Sequence, residues 1–167
     1  FKQKTAYEIP KRDWSSDVCS SDLRDTITFT HHSPDGDQGF PGNLDITARY
    51  ALSPDGTLAL TLTARADAPT HLNLVAHPYF DLSAGADATI AAHCLRLAAN
   101  AFLPTDAEAI PTGERRAVAG TPFDFRVAHP IGDPDATDAQ IAIACGYNHN
   151  FILDGTGMRD VAWLSHP

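Results

Sequence analysis

Two nine-residue runs, Leu44–Leu52 and Leu58–Ala66, alternate or cluster Leu, Ile, Thr and Tyr on either side of Ser53-Pro54-Asp55-Gly56. Side chains of an extended chain alternate between faces, and a Pro-Asp-Gly turn reverses its direction. The pair therefore predicts a β-hairpin. Further short strands are expected at residues 26–30, 70–76, 94–98 and 113–118 and at Asn150–Leu153, with turns at Asp67-Ala68-Pro69 and Asp133-Pro134-Asp135. Residues 138–144 suit a short helix or an extended edge. Short strands between turn signals, without a repeat, predict an all-β fold built as an antiparallel β-sandwich.

Residues 1–23 differ in composition from the remainder of the chain. They hold every lysine, Lys2, Lys4 and Lys11, whereas residues 24–167 use arginine alone and are crowded with alanine. The stretches Lys2-Gln3-Lys4-Thr5-Ala6-Tyr7-Glu8-Ile9 and Asp13-Trp14-Ser15-Ser16-Asp17-Val18-Cys19-Ser20-Ser21-Asp22-Leu23 resemble the translation of sequencing-adapter DNA. Residues 1–23 are accordingly read as an adapter-like or disordered tail without an apolar leader core, and residues 24–167 as one domain.

The formal net charge is −9, spread over scattered carboxylates. Nucleic acid and anionic membranes require basic patches, so neither is expected as a partner. No run approaches the roughly 18 apolar residues of a membrane span. Cys19 lies in the tail, and Cys94 and Cys145 stand singly among apolar residues, which reads as ordinary buried thiols. That usage suits a cytoplasmic location and leaves a periplasmic one open.

Several constellations fail on spacing. Adjacent His31 and His32 face opposite sides of a strand, and His71 and His77 would stand about 20 Å apart along one. No phosphate-cradling glycine loop, paired-cysteine motif or nucleophile elbow is present, so neither metal nor cofactor is expected. Asp81, Asp106 and Asp124 could supply a glycosidase's paired carboxylates or perform turn and cap chemistry.

The segment richest in chemistry is Asn73-Leu74-Val75-Ala76-His77-Pro78-Tyr79-Phe80-Asp81-Leu82. Extended, it would point Leu72, Leu74 and Ala76 to one face and Asn73, Val75, His77 and Tyr79 to the other, a core face and a cleft face. Aromatic rings suit the apolar faces of a sugar, and Asn and His suit its hydroxyls. Imidazoles exchange protons near neutrality, which makes His77 the first candidate for catalysis; simple hydrogen bonding in a crowded interior is the plainer reading.

This segment resembles the histidine motif of the aldose 1-epimerases, the galactose mutarotase family. Five further blocks stand in the family's order: Asp35-Gly36-Asp37-Gln38-Gly39-Phe40-Pro41-Gly42-Asn43-Leu44 upstream, then Leu103-Pro104-Thr105-Asp106, Ile110-Pro111-Thr112-Gly113, Thr121-Pro122-Phe123-Asp124-Phe125-Arg126 and Gly146-Tyr147-Asn148-His149-Asn150-Phe151. The resemblance covers residues 33–153 and implies a galactose mutarotase-like supersandwich with a sugar cleft on one sheet face. It implies a hexose such as galactose or glucose as substrate. In the family a carboxylate base takes the anomeric proton while a histidine acid protonates the ring oxygen.

His77 matches that acid, and Pro78, Tyr79 and Phe80 match the sugar-contacting stretch after it. Asn148 stands where the family commonly has an aspartate that holds a sugar hydroxyl, and His149 beside it reads as structural. Asn73, on the shared strand face, would support the histidine or the cleft floor. The resemblance also places a second active-site histidine before Arg24 and the catalytic glutamate after Pro167, since Glu108 and Glu114 lie in other motifs. The chain thus reads as a central fragment, incomplete at both ends and inactive alone. Two other readings stay open: a non-catalytic carbohydrate-binding sandwich, and a hexose 6-phosphate epimerase relative, whose basic phosphate site the scattered arginines do not show.

Overall fold

The computed structural model describes residues 18–19, 25–132 and 134–167, the first pair by backbone alone. The chain divides into two compact units, Phe1–His77 and Pro78–Pro167. All strand pairings are antiparallel, and the only α-helix among the described residues is one of six residues, as the all-β reading requires.

The first unit holds a four-stranded sheet in the order β1 (Val18–Cys19), β2 (Thr26–Ser33), β3 (Leu44–Leu52) and β4 (Leu58–Ala66). β1 falls inside the segment set aside as a tail; most of that segment lies outside the described residues. The expected hairpin forms in the expected register, Leu44 opposite Ala66 through Leu52 opposite Leu58. Its turn closes because Ser53 N–H donates to the Thr57 carbonyl at 2.9 Å and Gly56 adopts a φ of +87°. The Ser53 hydroxyl, then the Thr57 amide, donate to Asp55 and hold its carboxyl below the usual range.

β2 runs three residues further than expected, to Ser33, and His32 there donates from Nδ1 to Asp45 on the facing strand at 2.7 Å. His31 is half-buried and His32 exposed, on opposite faces as strand geometry demands. One face of the sheet carries Ile27, Phe29, Tyr50, Leu60 and Leu62, with Phe29 and Tyr50 meeting edge to face at 6.0 Å; the other is largely threonine.

The Asp35–Leu44 block is a connection between β2 and β3 built from turn chemistry. Gly36 is left-handed, Asp35 accepts the Gly42 amide at 2.6 Å, and Asn43 donates to Asp67 from both its amide and its side chain at 2.7 Å. These bonds tie the connection to the end of β4. Gly42 sits at φ +83°, and a Cβ there would lie 2.9 Å from the Ala68 Cβ.

The second unit contains two three-stranded sheets. One has the order β10 (Ala162–Ser165), β5 (Cys94–Leu97), β8 (His129–Pro130); the other β7 (Arg116–Ala117), β6 (Ala99–Leu103), β9 (Asn150–Leu153). The chain leaves one sheet for the other at Ala98, whose N–H donates to Val161 at 2.9 Å and whose carbonyl accepts from Asp154 at 2.8 Å. The sequence carries no signal for β6, β8 or β10 as separate strands. β6 continues the 94–98 run after a single-residue break, and its register shifts between Ala99 and Ala101.

Helix α1 (Ala139–Ala144) resolves the helix-or-edge alternative. Asp138 caps it, accepting from Gln140 N at 2.8 Å and Ile141 N at 3.2 Å, and Cys145 ends it in the left-handed region with φ 54°. That terminal position leaves Cys145 exposed, which corrects its reading as a buried thiol; Cys94 is half-buried, and both are free. The core consists of Phe102, Val118, Phe123 and Ile141, with Tyr147 and Phe151 packed against it.

Two strand expectations fail. Residues 113–118 reduce to Arg116–Ala117, and residues 70–76 are irregular. A run of strand-forming residues becomes a strand only where a neighbour exchanges backbone hydrogen bonds with it, and no described strand lies in register with 70–76.

Gly42→Ala is expected to lower stability by about 2 kcal/mol or more, from the left-handed backbone and the Ala68 overlap together, read as a lower urea midpoint at unchanged slope.

Candidate active site

Five of the six blocks have structural work within their own unit. The Asp35–Leu44 block joins β2 to β3 and is bonded to the end of β4. The Pro104-Thr105-Asp106 and Ile110-Pro111-Thr112 blocks form one closed turn: Asp106 N–H donates to Ile110 O at 2.9 Å, Thr112 N–H to Pro104 O at 3.0 Å, and Thr105 bridges Pro111. In Thr121-Pro122-Phe123-Asp124-Phe125-Arg126, the Thr121 hydroxyl donates to Val118 O at 2.7 Å and accepts from Phe123 N at 3.2 Å. This small turn aims Phe123 and Phe125 inward, where both are fully buried.

The Gly146–Phe151 block alternates. Tyr147, His149 and Phe151 are half-buried around Phe123, whereas Asn148 and Asn150 are exposed. Asn148 thus lies exposed in the connection between α1 and β9. Burial pushes the Tyr147 hydroxyl up, helped by Asp135 and Asp138. His149 donates from Nε2 to the Gln140 side-chain oxygen at 3.1 Å, and its Nδ1 has no partner among the described residues. Burial holds its pKa below the ordinary value. Gln140 itself is buried and clamps Thr105, accepting its N–H at 2.8 Å and donating to its carbonyl at 3.2 Å. His149 is therefore held in the packing around Phe102 and Phe123, and Gln140 gave no sequence signal.

The histidine block behaves differently. Residues 69–81 adopt no regular structure, so the alternation into a core face and a cleft face does not occur. Leu74 is half-buried, but Leu72, Asn73, Val75, Ala76, His77 and Pro78 are all exposed. Tyr79 is 91% exposed and Phe80 61%. Asn73 lines a cleft of about 530 Å³ in the first unit together with Ser33, Phe40, Leu44, Thr70 and His71, and the Thr70 hydroxyl is buried there without a partner among the described residues. His77 stands four residues beyond Asn73, at the last position of the first unit; Pro78, Tyr79, Phe80 and Asn148 belong to the second.

The three carboxylates considered as a glycosidase pair are all engaged locally. Asp81 accepts from the Ser83 hydroxyl at 2.6 Å and the Ser83 amide at 2.9 Å, which lower its pKa. Asp106 accepts the Glu108 and Ile110 amides at 3.0 and 2.9 Å. Asp124 pairs with both guanidinium arms of Arg126 at 2.8 and 2.7 Å, which holds its carboxyl down. Among the described residues no three His, Cys, Asp or Glu side chains converge as metal ligands.

The family model for aldose 1-epimerase matches residues 5–167. The chain belongs to the aldose 1-epimerase family. The match begins within the lysine-bearing segment. Aldose 1-epimerase of Haemophilus influenzae is 37% identical over 164 residues, covering 94% of this chain and 45% of that protein. Aldose 1-epimerase of Escherichia coli is 39% identical over 131 residues, 78% of this chain and 38% of that protein. Human galactose mutarotase is 37% identical over 134 residues, again 38% of its length. The chain thus spans less than half the length of these relatives. Among solved structures, galactose 1-epimerase from Lactobacillus acidophilus superposes with a TM-score of 0.79 at 36% identity, over 89% of this chain and 44% of that one. The aldose epimerase homologue from Caenorhabditis elegans, at 22% identity and a TM-score of 0.72, shares the fold. The antiparallel sheets of both units are those of the epimerase family's β-sandwich.

The depressed His149 pKa has a signed consequence. Below the ordinary imidazole value of about 6.5 the unfolded chain binds a proton at this position before the folded one does, so His149 makes stability fall as pH drops from there and level off once the folded imidazole is also protonated. Urea midpoints between about pH 7 and 5 are expected to decline less steeply in His149→Gln than in the parent.

Proposed function

We propose that this chain carries the acid histidine and part of the sugar contacts of an aldose 1-epimerase that interconverts the anomers of a hexose. His77 protonates the ring oxygen while a carboxylate base takes the proton from the anomeric hydroxyl. The C1–O5 bond breaks, C1 becomes an aldehyde, rotation about C1–C2 exposes its other face, and the reverse proton transfers close the ring as the other anomer. Tyr79 and Phe80 offer apolar surface to the sugar ring, Asn73 and Asn148 offer amide donors and acceptors to its hydroxyls, and Pro78 shapes the backbone between. Asp81, Asp106 and Asp124 are committed to local bonds and Glu114 is held by Arg116 at 2.8 Å through both oxygens, so none of these four is assigned the role of base.

The observation that carries this reading is the exposure of Tyr79 and Phe80 directly after His77. Large aromatic rings left in water beside a proton-exchanging group suit a carbohydrate subsite better than a core. Arg116 and Arg126 are paired with carboxylates, Arg159 donates to the Asp154 and Gly157 carbonyls, and Arg96 lies 3.5 Å over the Trp163 ring, so these four arginines are not assigned to a sugar phosphate. No described helix is long and apolar enough to cross a membrane.

Polarimetry of freshly dissolved α-D-galactose and α-D-glucose with the complete gene product is expected to show mutarotation faster than the spontaneous rate. His77→Ala is expected to cut kcat by roughly 10² to 10⁴-fold while leaving galactose binding in place. Turnover near the parent's level in that variant removes His77 from the mechanism; binding without acceleration in the parent points instead to a non-catalytic sugar-binding module.

A further inference from the structure

His93 is completely buried at the turn of chain just before β5, and the proton transfers assigned to His77 give it no part. Its Nε2 accepts the Leu82 amide at 2.8 Å, which fixes the neutral ring with its proton on Nδ1. Asp81 Oδ1 lies 3.5 Å from the same nitrogen, but two acceptors do not bond each other, and that oxygen already receives the Ser83 amide and hydroxyl. Nδ1 has no hydrogen-bond partner among the described residues. The ring is held from both sides of the main chain, His93 N–H donating to Ile90 O at 3.0 Å and its carbonyl accepting from Ile131 at 2.8 Å. It packs on His166, with centroids 4.8 Å apart, and His166 donates from Nε2 to Asp87 at 2.7 Å.

A buried imidazole with one nitrogen unsatisfied is a poor choice for packing alone, since an apolar ring of similar size would fill the space without an orphaned N–H. What the histidine supplies, and an apolar ring would not, is an acceptor aimed at Leu82. That amide ends the irregular stretch that presents Pro78, Tyr79 and Phe80. We propose that His93 is a positioning residue for the sugar-contacting stretch: by accepting the Leu82 N–H it ties that stretch to β5 and sets the direction in which Tyr79 and Phe80 meet the substrate. The inference rests on the aldose 1-epimerase reading of the His77 segment.

The test compares the complete gene product with its His93→Phe and His93→Gln forms. Phe keeps a ring and removes the acceptor; Gln can return an amide oxygen to it. His93→Phe is expected to raise the KM for galactose about tenfold with kcat within about threefold of the parent, and to speed exchange of the Leu82 amide at least about tenfold. His93→Gln is expected to recover most of both. A merely structural role would lower the amount of folded enzyme, and so apparent kcat, at unchanged KM; that pattern, or parental Leu82 exchange in His93→Phe, overturns the proposal. Should His93→Phe not fold, the parent itself decides: a through-hydrogen-bond ¹⁵N–¹⁵N coupling between Leu82 N and His93 Nε2, with sugar affinity retained in His93→Gln, supports the proposal, and absence of the coupling overturns it. Failure of the parent to accelerate mutarotation is a separate result, which removes the functional reading while Leu82 exchange still judges the tether.

Discussion

The second unit depends on one stacked pair of rings. Phe102 of β6 and Phe123 lie 4.2 Å apart and within 18° of parallel, both fully buried. Tyr147 and His149 meet Phe123 edge-on at 5.6 and 4.7 Å, and His149 meets Phe102 the same way at 5.6 Å. Burying each phenyl ring contributes about 1.5–3 kcal/mol, and each well-oriented ring pair adds about 0.5–1.5. Val118 and Ile141 are buried with them, and Tyr147 and Phe151 pack against the cluster. The cluster joins three separated stretches of sequence, and the polar groups around it serve the same end: Gln140 brings α1 to Thr105, and His149 brings the start of β9 to Gln140.

This arrangement divides labour among the family's blocks. Most of them make turns or fill the core. The histidine block fills no core and joins no described sheet. Val75, Tyr79 and Phe80 are exposed, and the Leu82 amide at the end of the block is held by the imidazole of His93. A scaffold of tight turns and stacked rings holding a displayed loop is a physical arrangement suited to contacting a ligand.

Elements whose signals are local were legible in the sequence. The Ser53-Pro54-Asp55-Gly56 hairpin and Asn150–Leu153 form at the expected residues, because turn chemistry and side-chain alternation act over a few positions. Residues 70–76 carry an equally good strand pattern and form none, since a strand also requires a neighbour that no local pattern encodes. The sheet change at Ala98 and the brief pairing of His129–Pro130 depend on partners more than thirty residues away and were invisible for the same reason. At the candidate site, resemblance proposes His77, Pro78, Tyr79, Phe80 and Asn148, whereas the bonds of His93 and Gln140 involve ordinary residues whose contacts exist only once the chain is folded.

The central proposal is that His77 and the stretch directly after it, Pro78 to Phe80, contact a sugar while the aromatic cluster supports the second unit. A galactose titration of the complete gene product followed by backbone amide chemical shifts tests this directly. The account predicts saturable shifts concentrated at residues 77–80, with Phe102, Phe123 and Val118 barely moved. Saturable shifts centred elsewhere, or none at concentrations that accelerate mutarotation, would contradict it.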